Sequence, residues 1–126
     1  MDTQIKLLLV DDDERNIFAL SAFLKVKKIQ VTAARDGQDC LNKLAEGEFD
    51  VILLDMMMPV MDGFQTLQVI RSDAKLKNNK VIALTALAMK GDMERCLEAG
   101  ADDYCTKPVD IDVLISKINK ILQVNG

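Results

Sequence analysis

The chain is 126 residues long, the size of one ordinary domain, enough to bury a single core and too short for two. Its 20 acidic against 16 basic residues give a formal charge of −4 with no basic stripe, which argues against direct nucleic-acid binding. No apolar stretch nears the roughly 20 residues of a membrane helix, and Met1-Asp2-Thr3-Gln4 lacks the layout of a signal peptide, so a cytoplasmic protein without membrane insertion is expected.

The first predicted element is a strand over residues 5–10, a nearly continuous apolar run of the kind buried on both faces. It ends in Asp11-Asp12-Asp13, an acidic turn whose last member suits the N-cap of a helix patterned by Ile17, Leu20, Phe23 and Leu24. Ile29, Val31 and Ala33 then alternate with Gln30 and Thr32, which predicts an edge or half-exposed strand. A second helix follows on Cys40, Leu41, Leu44 and Ala45. The apolar run 51–54 ends in Asp55, and Phe64, Leu67 and Ile70 pattern a third helix.

After a polar loop at 75–80, the run 81–84 ends in Thr85. A fourth helix fits 91–99 and stops at Gly100, and Tyr104-Cys105-Thr106 leads as the last strand into Lys107-Pro108. Asp110 suits the N-cap of a fifth helix, whose apolar stripe is Ile111, Leu114, Ile115, Ile118 and Leu122. Five strands alternating with five helices predict an α/β fold with a doubly wound parallel sheet, because right-handed crossovers put helices on both faces. No repeat, linker or low-complexity segment interrupts it, so residues 1–126 read as one domain.

In such a sheet Asp11, Asp12, Asp55, Thr85 and Lys107 all end strands at the carboxyl edge, where open α/β sheets bind ligands. Each has a bland reading alone: a helix cap, a strand-end hydroxyl, a surface charge. Together, oxygen-only ligands suit a hard divalent ion, foremost Mg²⁺, which retains waters and accepts a phosphoryl oxygen. A carboxylate can be the nucleophile that holds a phosphoryl group, with the cation and a lysine neutralising charge. No histidine is present, which excludes a histidine base and a phosphohistidine on this chain. Cys40, Cys96 and Cys105 show no metal-ligand spacing and read as reduced structural residues. Met56, Met57, Met58 and Met61 read as loop and core packing rather than a soft-metal site.

The blocks Leu8-Leu9-Val10-Asp11-Asp12-Asp13, Leu53-Leu54-Asp55-Met56-Met57-Met58-Pro59 with Asp62-Gly63, Ala83-Leu84-Thr85-Ala86 and Tyr104-Cys105-Thr106-Lys107-Pro108 resemble the signature blocks of receiver domains of two-component response regulators. They occur in order and the resemblance covers the whole chain. It implies a flavodoxin-like (CheY-like) five-stranded sheet in the order 2-1-3-4-5 with five helices. It implies a phosphoryl-accepting switch rather than an enzyme proper, assisting its own phosphorylation and dephosphorylation. Carried over by position, Asp55 is the phosphoacceptor, while Asp11, Asp12 (the more direct ligand), Asp55 and the backbone carbonyl of Met57 hold Mg²⁺, with Mn²⁺ as a substitute. Thr85 is the switch hydroxyl, Lys107 the ion-pair partner of the phosphoryl group, and Tyr104 the aromatic that changes rotamer. Lys107-Pro108 matches a cis peptide.

The implied donor is a sensor histidine kinase or histidine phosphotransfer protein. The implied output is a changed face of the fourth helix, fifth strand and fifth helix, including Ala88, Met89, Met93 and Tyr104, toward a downstream protein or a second copy. Met57 and Leu87 are apolar where they would flank the hydrolytic water, so slow spontaneous dephosphorylation is expected.

A haloacid-dehalogenase type enzyme would carry a second aspartate where Met57 stands, and nucleotide-binding folds would carry a Gly-rich cradle that this chain lacks. A docking module that had lost the chemistry would be expected to lack acids or the lysine, and none is missing. The segment from Thr85 to Asp92 resembles receivers attached to hybrid kinases, whereas Met1 and the end after the fifth helix suit a stand-alone protein; both readings stand.

Overall fold

A computed structural model describes residues 4–86 and 89–122. Strands and helices alternate along the chain as β1 (Lys6–Val10), α1 (Glu14–Val26), β2 (Gln30–Ala34), α2 (Gly37–Glu46), β3 (Val51–Asp55), α3 (Gly63–Ser72), β4 (Val81–Thr85), α4 (Lys90–Glu98), β5 (Asp103–Thr106) and α5 (Ile111–Leu122). The five strands form one sheet in the order β2-β1-β3-β4-β5, with every pair parallel. This is the expected doubly wound fold.

Side-chain alternation splits the core in two. Leu7, Leu9, Val51, Leu53, Ile82 and Leu84 face one side, where Ile17, Leu20 and Leu24 of α1 and Leu114 and Ile118 of α5 cover them. Leu8, Val10, Ile52, Leu54, Val81 and Ala83 face the other, against Cys40 and Leu44 of α2, Leu67 and Ile70 of α3 and Cys96 of α4. With both faces covered, β3 and β4 are buried at every position, which is why they read as continuous apolar runs rather than alternating ones. β2 lies at the sheet edge and is partly exposed, in line with its alternation.

The helix ends follow their residues. Asp13 caps α1, its side chain accepting from Arg15 N–H. Asp110 accepts from the backbone N–H groups of Asp112 and Val113 at the start of α5. Gly100 ends the turn after α4 at φ +114°, a conformation that favours glycine. α4 begins at Lys90, one residue before the expected start, and among the described residues no side chain caps it. α3 carries a capping box of Asp62 and Gln65, a local signal the sequence reading passed over.

Phe23 departs from expectation. It shares the three-and-four spacing of Ile17, Leu20 and Leu24 but is exposed, as are Phe18 and Val26. At 100° per residue it falls at the rim of the α1 stripe, and Leu24 takes the inner position. Ala45 of α2 is exposed for the same reason. Cys40, Cys96 and Cys105 are free and buried; burial raises each thiol's pKa, that of Cys40 to about 12.

Candidate functional site

The carboxyl ends of β1, β3, β4 and β5 bring the polar residues together because the register aligns them. Val10 pairs with Leu54 and Asp55 with Leu84, so Asp11 and Asp55 emerge side by side; Thr85 pairs with Thr106, one residue before Lys107. Asp11, Asp55 and Thr85 are buried polar residues, while Asp12 is exposed at the mouth of the site. One carboxylate oxygen from each of Asp11, Asp12 and Asp55 lies within 4.8 Å of the other two.

Lys107 spans the two buried acids. Its Nζ is 3.1 Å from Asp55 Oδ2 and 3.2 Å from Asp11 Oδ2. Its backbone N–H donates to the Thr85 carbonyl at 2.8 Å, and the Lys107-Pro108 peptide is cis. Asp55 Oδ1 accepts the Met57 N–H at 3.0 Å, and Asp11 Oδ1 accepts the Asp13 N–H at 2.9 Å. Asn16 on α1 reaches Asp11 Oδ2 at 3.5 Å, a contact the sequence reading did not single out. Gly63 opens α3 directly under the loop that follows Asp55: a Cβ there would stand 2.5 Å from Met56 Cα and 2.6 Å from the Asp55 carbonyl, so only glycine permits the approach.

The electrostatics are those of a site with surplus negative charge. Burial, the largest influence on Asp55, raises its pKa; the Met57 N–H and Lys107 draw it down, the Asp11 charge pushes it up, and the net shift is upward. Burial alone would lower the Lys107 pKa, but hydrogen bonds and charge from Asp55 and Asp11 outweigh it, so the ammonium is held above its ordinary value. One cation fully committed to two buried carboxylates, with a third carboxylate beside them, fits an additional divalent ion. Three oxygen donors with one exposed member suit Mg²⁺, which keeps part of its water shell.

The other expected site residues are positioned as follows. Met57 is exposed, whereas Met56 and Met58 are buried in the core, as packing residues are. Tyr104 is half-buried on β5, packed against the α2–α3–α4 side of the core. Leu87 and Ala88 lie outside the described residues. Among the described residues no helix is long and apolar enough to cross a membrane.

A family model for the response regulator receiver domain matches residues 7–119. The response regulator PleD of Caulobacter vibrioides is 38% identical over 116 residues, covering 92% of this chain and 26% of that protein. Hybrid signal transduction histidine kinase L of Dictyostelium discoideum is also 38% identical, over 91% of this chain and 7% of its own length. The chain thus spans about a quarter or less of these two relatives.

Two solved structures are similar throughout. The receiver domain of sensor histidine kinase PA1611 from Pseudomonas aeruginosa, with a magnesium ion coordinated in its active site cleft, has a TM-score of 0.88 at 32% identity, covering 96% of this chain and 99% of that one. The receiver domain of the Saccharomyces cerevisiae response regulator Ssk1, solved with the phosphotransfer protein Ypd1, has a TM-score of 0.84 at 30% identity, covering 95% and 90%. By sequence over nearly its whole length and by fold, the chain belongs to the response regulator receiver domain family, the phosphorelay component of two-component systems.

Proposed function

We propose that Asp55 is the phosphoacceptor of this receiver, with Mg²⁺ held by Asp11, Asp12, Asp55 and the Met57 carbonyl, and Mn²⁺ as a substitute. The observation that carries the reading is the Lys107 ammonium within hydrogen-bond reach of both Asp55 and Asp11 in a buried acidic site. The donor is the phosphohistidine of a sensor kinase or a phosphotransfer protein. Its N–P bond breaks as a P–O bond forms to an Asp55 oxygen, and the electron pair returns to the donor imidazole. The bound cation would supply charge neutralisation for the phosphoryl oxygens.

The protein's own contribution is placement and charge. The Met57 N–H holds one Asp55 oxygen and fixes the carboxylate plane. Lys107 stays charged beside it and neutralises the transferring group, the main source of catalysis in phosphoryl transfer. Thr85, on the neighbouring strand end, then turns its hydroxyl toward the phosphoryl oxygens, and Tyr104 follows on β5. That change biases a pre-existing equilibrium of the α4–β5–α5 face, to which Met89, Met93 and Tyr104 contribute, toward a downstream protein or self-association. The chain acts as a switch that assists its own phosphorylation and dephosphorylation rather than as an enzyme with a separate substrate. The three free cysteines accord with a reducing, cytoplasmic setting.

Two measurements bear on this. Incubated with Mg²⁺ and acetyl phosphate, the chain should gain one phosphoryl group by intact mass, and Asp55→Asn none; equal labelling of the variant would move the site elsewhere. The phospho-form should also be long-lived, because the exposed side chain of Met57 can screen water but cannot orient it. The pair Met57→Asn with Leu87→Glu should shorten the half-life about tenfold, equivalent to about 1.4 kcal/mol in the barrier. An unchanged or longer half-life would refute the water-exclusion account.

A further inference from the structure

Tyr104 lies on β5, the other edge of the sheet, and is held there from α5. The Lys117 Nζ stands 4.7 Å from the centroid of the Tyr104 ring. The same ammonium is 3.0 Å from Asp103 Oδ1, and that oxygen also accepts the Tyr104 backbone N–H at 2.8 Å. Lys117 and Asp103 are only about a quarter exposed, at 26% and 24%, so the cation over the ring is less screened than at an open surface. Tyr104 pairs with Ala83 and Thr106 with Thr85. Residues 83, 85 and 104 therefore share one face of the sheet, with Thr85 diagonal to Tyr104 and only the Ala83 methyl on the strand opposite the ring.

We propose that Lys117 is a positioning residue: it holds the Tyr104 ring at the sheet edge and so sets how readily the ring moves toward Thr85. The inference rests on the reading of Thr85 and Tyr104 as switch residues. Asp103 anchors the ammonium from the β5 backbone side, so the cation does not follow when the ring leaves, and inward movement forfeits the cation–ring attraction. Lys117 thus opposes the signalling position of the ring without touching Asp55, Asp11 or Lys107.

The chain has one tyrosine and no tryptophan, so its tyrosine emission and the quenching of that emission by acrylamide report Tyr104 alone. Without phosphodonor, Lys117→Met should shift the inward-to-outward ratio about two- to fivefold and lower the quenching toward that of the phosphorylated parent. Lys117→Arg should quench like the parent, and Asp103→Asn, which frees the ammonium, should move the same way as Lys117→Met by less. Phosphoryl gain by intact mass should match the parent in all three variants.

Quenching of Lys117→Met that equals or exceeds the parent's, while the parent itself responds to acetyl phosphate with Mg²⁺, overturns the tether alone. A parent whose emission is unmoved despite one phosphoryl group per chain overturns the switch reading of Tyr104 and the tether with it.

Discussion

Replacing Lys107 with alanine should slow the gain of a phosphoryl group from acetyl phosphate by about a hundredfold, or about 2.7 kcal/mol in the barrier. The lysine bridges Asp55 and Asp11 at 3.1 and 3.2 Å, and without its ammonium the divalent ion alone would offset two buried carboxylates facing an anionic donor. The variant should also become more sensitive to acid. Asp55 is already shifted upward by burial, and Lys107 is one of the two influences that hold it down. Its loss lifts the Asp55 pKa further, and since the proposed attack on phosphorus needs the carboxylate, the deficit should widen as pH falls. Lys107→Arg keeps the charge but replaces a compact ammonium with a planar fork, and should fall between parent and alanine. Time courses of intact mass at two pH values decide the matter. A Lys107→Ala rate within threefold of the parent, with no change in pH profile, would remove the lysine from the transfer step.

The candidate site residues were legible because their signals are local and repeated. Each of Asp11, Asp55, Thr85 and Lys107 ends an apolar run or follows one, and a parallel sheet delivers all such ends to one edge. The strand-end chemistry therefore followed from topology once β1, β3, β4 and β5 were recognised. Caps formed within three residues were readable for the same reason, as with Asp13 and Asp110. Phe23 shows the limit of periodicity: a spacing of three or four residues admits side chains at the rim of a stripe as readily as at its centre.

Most of what stayed hidden depends on how elements fold onto one another, although the Asp62–Gln65 capping box is as local as the caps of α1 and α5. Asn16 reaches Asp11 only once α1 folds back over the turn. Lys117 meets Tyr104 because α5 lies along the β5 edge, thirteen positions later in the chain. Gly63 gives no sign in sequence that the backbone of Asp55 and Met56 passes beneath it. Arg71 is the fullest example, since one side chain near the end of α3 joins three segments.

Arg71→Ala should cost about 3 kcal/mol of folding stability, among the larger effects of a single substitution. The guanidinium donates to the carbonyls of Gly100 at 2.9 Å, Lys77 at 2.7 Å and Asn79 at 2.6 Å, and to Asp102 Oδ2 at 3.1 Å. Asp102 Oδ2 in turn accepts the Val81 N–H at 2.8 Å, so one side chain ties the end of α3, the 75–80 loop and the entries to β4 and β5. Truncation leaves carbonyls that a folded loop cannot re-pair at once, at about 0.5–1.5 kcal/mol net for each ordinary bond. The ion pair to Asp102, whose side chain is 35% exposed against 22% for Arg71, is partly screened and adds a smaller share. Lys cannot serve three carbonyls and a carboxylate from one ammonium, so Arg71→Lys should recover only a minor part of the loss. All these contacts sit at the amino edge of β4 and β5, opposite Asp55. The folded Arg71→Ala protein should therefore still gain one phosphoryl group from acetyl phosphate at low temperature. Denaturant unfolding with an unchanged m-value measures the stability difference. A loss below about 1 kcal/mol would mean that water replaces the guanidinium at no great cost, and that the two loops hold their course without it.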